Sequence, residues 1–170
     1  IALANGKSGP SLKLSLKEVY LALAKVVPAD PEGETVKPNP YKMWNEINPS
    51  LPAKPIVVIG PPPTSGTRDA FNELAIERGC KKFPGRKELK KANKKLYKAE
   101  CRGIREDGAY VEAGENDNLI IEKLVANPDA IGVFGYSFLD QNRDKVKPAE
   151  IDGVLPKFED ISSGKYPVSR

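Results

Sequence analysis

Apolar positions recur along the chain in two rhythms, one suited to strands and one to helices, and the two alternate. Ile1 to Asn5 is a short apolar run that reads as a strand, followed by a Gly-Lys-Ser-Gly-Pro turn. Leu16, Val19, Tyr20, Leu23 and Val27 then return at helical intervals. Ser15 and Glu18 have the spacing of a capping box, so a helix is expected from Ser15 until Pro28 stops it. Between Pro28 and Pro55 prolines come too often for anything but a loop with short turns, anchored in the core by Trp44 and Ile47.

Pro55 to Gly60 is a continuous β-branched run bounded by breakers, the pattern of a buried strand. Three prolines and Thr64 follow, then a helix is expected from about Ser65 to Arg78, with Ala70, Phe71, Leu74 and Ala75 as its apolar stripe and Gly79 as its stop. From Cys80 to Arg102 a thin stripe of Leu89, Ala92, Leu96 and Ala99 predicts a surface helix. Ala109 to Glu112 reads as a strand, and Asn116 or Asp117 caps a helix that Asn127-Pro128 ends. Ala130 to Gly135 is a second buried strand with a short helix from Tyr136 to Asn142 behind it. Ile151 to Val154 gives a further short strand or turn, and Pro156 to Ser163 a final helix ending at Gly164. Strands alternating with helices imply an α/β fold, a mixed and mostly parallel sheet flanked by helices, formed as a single domain over residues 1–170.

Composition agrees. With 39% apolar and 29% charged residues in 170, the chain has the balance of one globular domain, and no apolar run approaches the roughly 20 residues that span a bilayer. It opens on Ile1 without a basic or apolar leader, so any targeting signal is expected to have been removed or to lie outside this sequence. There is no histidine, which argues against zinc sites and histidine-based catalytic triads. Asp107, Glu112, Glu115 and Asp117 read as turn and cap residues beside Gly108 and Gly114, and no metal or cofactor is expected.

Charge is uneven. Between Cys80 and Arg102 ten Lys or Arg face only Glu88 and Glu100, while the remainder of the chain is net acidic. Nucleic acid is not the expected partner, because only Phe83 and Tyr97 interleave with these cations and no nucleic-acid motif is present. A solvated basic face that draws anions toward a binding cleft fits better. Cys80 and Cys101, the only cysteines, fit either buried thiols or a bridge. Their position at the two ends of one exposed-looking segment favours the bridge and an oxidising compartment; closing a loop of about 20 residues would stabilise the fold by roughly 3 kcal/mol.

The segment with most chemistry is Thr64-Ser-Gly-Thr-Arg-Asp69, at the start of a helix that follows a buried strand. The first N–H groups of such a helix lack intrahelical acceptors and lie at the positive end of its dipole, which suits an oxyanion. Gly66 leaves the backbone open, Ser65 and Thr67 add hydroxyl donors, and Arg68 adds a charged fork. Ser65 acting as a plain N-cap is the simpler alternative. The Walker spacing of a P-loop is absent.

This segment, with the strand before it and Ala70-Phe71 after it, resembles the phosphate-binding segment of the periplasmic phosphate-binding proteins. Trp44-Asn-Glu-Ile-Asn-Pro49, Arg105-Glu-Asp-Gly-Ala-Tyr110, Glu115-Asn-Asp-Asn118, Ile131-Gly-Val-Phe-Gly-Tyr136, Ile151-Asp-Gly-Val154 and Ser163-Gly-Lys-Tyr-Pro-Val-Ser-Arg170 agree in order, so the resemblance spans almost the whole chain. It implies a lobe of the type II periplasmic-binding-protein fold, here the second, inserted lobe without the first. In the family two lobes close over inorganic phosphate in an extracytoplasmic receptor that passes it to ABC transporter permease subunits, and the receptor is not an enzyme. The resemblance implies Ser65, Gly66 and Thr67 as phosphate ligands. Many members carry an arginine where this chain has Pro61, so the compensating charge is expected from Arg68, with Arg105 as a second candidate. The alternative is the same fold used for another oxyanion, or as an adhesion or signalling module.

Overall fold

The structure is a computed structural model that describes residues 1–114 and 116–169; Glu115 and Arg170, both within the stretches quoted above, lie outside the described residues. Its centre is a five-stranded sheet in the order β6-β5-β7-β1-β8, formed by β1 (Ala2–Gly6), β5 (Val58–Gly60), β6 (Tyr110–Glu112), β7 (Ile131–Phe134) and β8 (Val146–Pro148). β5 runs parallel to β6, with Gly60 opposite Glu112, and parallel to β7, with Val58 opposite Ile131. β1 is antiparallel to both of its neighbours, placing Ala2 opposite Phe134 and Ala4 opposite Pro148. The sheet is therefore mixed and mostly parallel, and the carboxyl ends of β5, β6 and β7 share one edge with the start of β1.

Side chains of successive strand residues point to opposite faces, and here both faces are covered. Leu3, Val58 and Val133 face one core, with Tyr20, Trp44, Phe71, Ile76 and Tyr97. Ala2, Ala4, Ile59 and Phe134 face the other, with Ile120, Leu124 and Leu139. This is a three-layer sandwich, which is why the strands read as continuous apolar runs.

On the first face lies α1 (Leu16–Leu23), capped by Ser15, whose Oγ accepts from Glu18 N at 3.1 Å while Glu18 Oε1 accepts from Ser15 N at 2.9 Å. The expected helix ends at Leu23 rather than Pro28, because Val26–Pro28 turns out as β3, paired with β4 (Val36–Pro38). The proline-rich segment thus holds a hairpin, and further on α2 (Trp44–Ile47), with Trp44 buried as expected.

The helix after β5 opens as α3 (Gly66–Phe71), continues through a π-helical stretch at Asn72–Glu77 and ends as α4 (Arg78–Cys80). Gly79 does not stop it. A Cβ there would strike Leu16 O and the Tyr20 side chain, so this glycine exists for close packing of α4 on α1. The basic segment forms two helices, not one: α5 (Pro84–Ala92), with Pro84 at its first position, and α6 (Lys94–Arg102). Asn93 leaves helical geometry between them and caps α6, accepting from Leu96 N at 3.1 Å.

Cys80 and Cys101 form a disulfide with a Cα–Cα separation of 5.4 Å, joining α4 to α6. Beside it Glu77 is buried, accepting from Tyr97 Oη at 2.8 Å and from Arg102 Nε at 2.5 Å.

The second face carries α7 (Asp117–Ala126) and α8 (Tyr136–Gln141). β2 (Lys13–Leu14) pairs in parallel with β9 (Glu150–Ile151), and α9 (Phe158–Ser162) follows. β8 has no counterpart among the expected elements.

Candidate functional site at the carboxyl edge of the sheet

β5 ends at Gly60, and the chain crosses Pro61 to Thr64 before entering α3. Ser65 is in extended geometry (φ −85°, ψ 136°), and its Oγ accepts from Thr67 N at 3.1 Å and Arg68 N at 3.4 Å. Ser65 is thus the N-cap of the helix, and its hydroxyl hydrogen remains to donate outward. Gly66 is exposed and nothing lies within 4 Å of where its Cβ would be, so this turn is open to an incoming group. Two hydroxyls, an unobstructed backbone and the positive end of a helix dipole are brought together here.

Arg68 lies directly beside the turn. Its guanidinium stacks over the Tyr110 ring at 4.5 Å, Nη1 donates to Pro61 O at 3.3 Å, and Nη1 stands 3.8 Å from Glu112 Oε1. Only 11% of the side chain is exposed, and Nε is buried without a hydrogen-bond partner. Pro61, the departure noted in the sequence, serves through its carbonyl, which also accepts from Tyr110 Oη at 2.8 Å. Burial raises the Tyr110 hydroxyl pKa to about 12, so it remains a donor.

The same edge receives the ends of β6 and β7. Asp117 at the start of α7 accepts from Gly135 N, the cap of α8, at 3.3 Å. Burial raises its carboxyl pKa, and the hydrogen bond from Gly135 opposes that shift.

Arg105 is not part of this constellation. It precedes β6, so it belongs to the opposite edge of the sheet from the turn that follows β5. Its donors are engaged: Nε and Nη2 on Asp107 at 2.8 and 2.6 Å, and Nη1 on Ala22 O and Tyr41 O at 2.9 and 2.7 Å. These bonds hold the Asp107 carboxyl below the usual carboxylate range. Arg105 ties α1 and the α2 approach to the β6 loop.

Ser65, Gly66, Thr67 and Arg68 are brought together, then, and Arg105 is not. The sequence does not assign Tyr110 or Glu112 to the turn, yet both stand against Arg68, and Asp117 and Gly135 lie along the same edge of the sheet. Tyr110, Asp117 and Gly135 fall in the stretches that carry the resemblance, and Glu112 closes a predicted strand, but no spacing joins them to the turn. Among the described residues no cluster of three or more acids and cysteines could hold a metal ion.

The whole chain, residues 1–170, matches the PBP superfamily domain, and the protein belongs to that superfamily. The phosphate-binding protein PstS of Staphylococcus saprophyticus is 27% identical over 163 residues, covering 93% of this chain and 37% of its own length. Protein SphX of Synechococcus elongatus is 28% identical over 170 residues, covering 96% of this chain and 40% of its own. The crystal structure of PstS from Borrelia burgdorferi superposes with a TM-score of 0.64 at 19% identity, over 99% of this chain and 54% of that one, which shows the shared fold. The chain thus spans between about a third and two fifths of the length of the curated relatives it matches.

Proposed function

We propose that this chain is the second, inserted lobe of a two-lobed receptor that binds inorganic phosphate outside the cytoplasm and delivers it to the permease subunits of an ABC transporter. The carrying observation is the open Ser65-Gly66-Thr67 turn, at the positive end of a helix and with Arg68 alongside. Phosphate oxygens would accept from the Ser65 and Thr67 hydroxyls and from the Gly66 N–H, because the Ser65 Oγ already caps Thr67 N and Arg68 N, with the Arg68 guanidinium as the nearest cation. In closing, a first lobe would supply the remaining donors and an acceptor for the proton that phosphate still carries near neutral pH.

Relatives named for phosphate binding support this reading, as does a site with donors but no activated nucleophile. The function is reversible binding, with no bond broken. The Cys80–Cys101 bridge fits an oxidising compartment, and among the described residues no helix is long and apolar enough to cross a membrane.

Isothermal titration of the full-length protein with phosphate and with sulfate tests the assignment, beside a variant carrying Ser65→Ala, Thr67→Ala and Arg68→Ala. Phosphate binding lost in the variant is expected. Undiminished binding would move the ligand elsewhere, and a parent that takes neither ion would indicate an adhesion or signalling module.

A further inference from the structure

At the other end of the helix that begins at Ser65, the surface is concave and strongly basic. An open groove of about 710 Å³ is lined by Arg78, Lys81, Lys82, Lys87 and Lys165, with Asp152 as its one acid. Asp152 is engaged, its Oδ1 accepting from Leu16 N at 3.1 Å, and Arg78 donates to Pro167 O at 2.6 Å. None of the ion pairs among the described residues involves Lys81, Lys82, Lys87 or Lys165. A second concavity of about 460 Å³ shares Lys81 and Lys87 and is completed by Lys90, Lys91 and Lys94, so one cationic track runs through both.

Helix electrostatics account for part of this only. Arg78, Lys81 and Lys82 sit at the C-terminal end of a helix, where the dipole favours cations. Along α5, however, Lys87 with Lys91 and Lys87 with Lys90 are like charges four and three apart, which cost a few tenths of a kcal/mol per pair. Fixing so many like charges around one furrow is unfavourable until an anion fills it.

We infer that this track is a second anion site, distinct from the Ser65 turn, and that its ligand is a flexible chain of phosphoryl groups, namely inorganic polyphosphate. Roughly 15–20 Å of helix separate the two sites, from Ser65 to Arg78. A single oxyanion would leave most of the cations unused. A planar membrane surface does not enter a furrow, and Leu16, the large apolar side chain in the groove's lining, is buried. Nucleic-acid bases would find nothing to stack on, because the two aromatic residues of the basic segment, Phe83 and Tyr97, are buried. What remains is charge repeated along a thin, unstacked chain.

The test measures fluorescence anisotropy of end-labelled medium-chain polyphosphate with the full-length protein between 50 and 200 mM salt. The site variant is Lys81→Gln, Lys82→Gln, Lys87→Gln and Lys165→Gln; the charge-matched control is Lys13→Gln, Lys37→Gln, Lys42→Gln and Lys123→Gln. At about 0.7 counterions per phosphate contact, losing four contacts lowers the log–log salt slope by about three. The site variant is expected to show that fall and a loss of affinity of about 100-fold, while the control keeps both. Saturating orthophosphate and the Ser65→Ala, Thr67→Ala, Arg68→Ala variant are expected to leave the binding intact, so the two sites stand or fall separately. Equal loss in the control overturns the inference, as does displacement by orthophosphate. Equally tight binding, through the same lysines, of a charge-matched oligodeoxynucleotide or of phosphatidylserine vesicles overturns the choice of polyphosphate.

Discussion

Tyr110 and Arg68 meet at one acceptor: the phenol and the guanidinium both donate to the Pro61 carbonyl, at 2.8 and 3.3 Å, while the guanidinium lies on the phenol ring. A proline carbonyl thus draws in a cation from the helix that follows it. Tyr110→Phe removes the shorter bond and leaves a buried carbonyl with one weak donor. The expected cost is about 1–2 kcal/mol in urea unfolding, with a weaker phosphate isotherm because Arg68 loses its fixed position.

Gly60 depends on the same contact, since a Cβ on it would fall on Tyr110 Oη. Gly60→Ala is expected to destabilise by about 1–3 kcal/mol. In the Tyr110→Phe background the penalty should shrink, and a double-mutant cycle by denaturant titration measures that coupling.

Arg105 and Arg68 are separable by function. Arg105→Gln strips donors from Ala22 O and Tyr41 O and is expected to cost about 2–3 kcal/mol in thermal unfolding. Where folded, that variant should titrate phosphate like the parent. Arg68→Gln should do the reverse, with a small effect on stability and a large one on affinity.

Two carboxylates pull the pH dependence in opposite directions. Burial acts to raise the pKa of Glu77, but the bonds from Tyr97 and Arg102 together outweigh it and hold the value below the ordinary glutamate range. Its contribution is therefore present above the unfolded pKa and lost as pH falls through the lower, folded one. Asp117 is raised, so its contribution is full below the unfolded pKa and is lost as pH rises through the folded one. Asp117→Asn keeps an acceptor for Gly135 and carries no charge, so it should raise stability at neutral pH. Denaturant midpoints from acid to neutral pH check both signs, with Glu77→Gln reducing the acid-side loss, to which Asp107 still contributes.

Reducing the Cys80–Cys101 bridge is expected to lower stability by about 3 kcal/mol on the loop-entropy estimate. Calorimetry with and without reductant measures it. Phosphate affinity below the transition should not change, because the bridge lies at the far end of the helix from Ser65.

What the sequence disclosed was local. The Ser15–Glu18 cap, the Ser65 turn and the two main buried strands each rest on residues within a few positions of one another, and each is present in the structure. Gly79 was misread because glycine is common just past a helix end, whereas here the neighbour that demands it is Leu16 of another helix. Arg105 looked like a spare cation because the carbonyls it serves, Ala22 and Tyr41, are 83 and 64 residues away in sequence. The pairing of Arg68 with Glu112 depends on the parallel register of β5 and β6, which no spacing encodes. β8 escaped notice since Val146-Lys-Pro148 is too short and too polar to show alternation.

The π-helical stretch at Asn72–Glu77 also sets the phase between the two ends of its helix. Each residue in an α-helix advances the azimuth by about 100°. Deleting one residue between 72 and 77 would make a more regular helix, yet it would rotate Arg68 relative to Cys80 by that angle. Either the guanidinium would leave the Tyr110 ring or the cysteine would turn from its mate. The irregular stretch is thus a splice that lets one rod serve two fixed appointments, and an alignment gap placed there would carry a rotation, not merely a shortening.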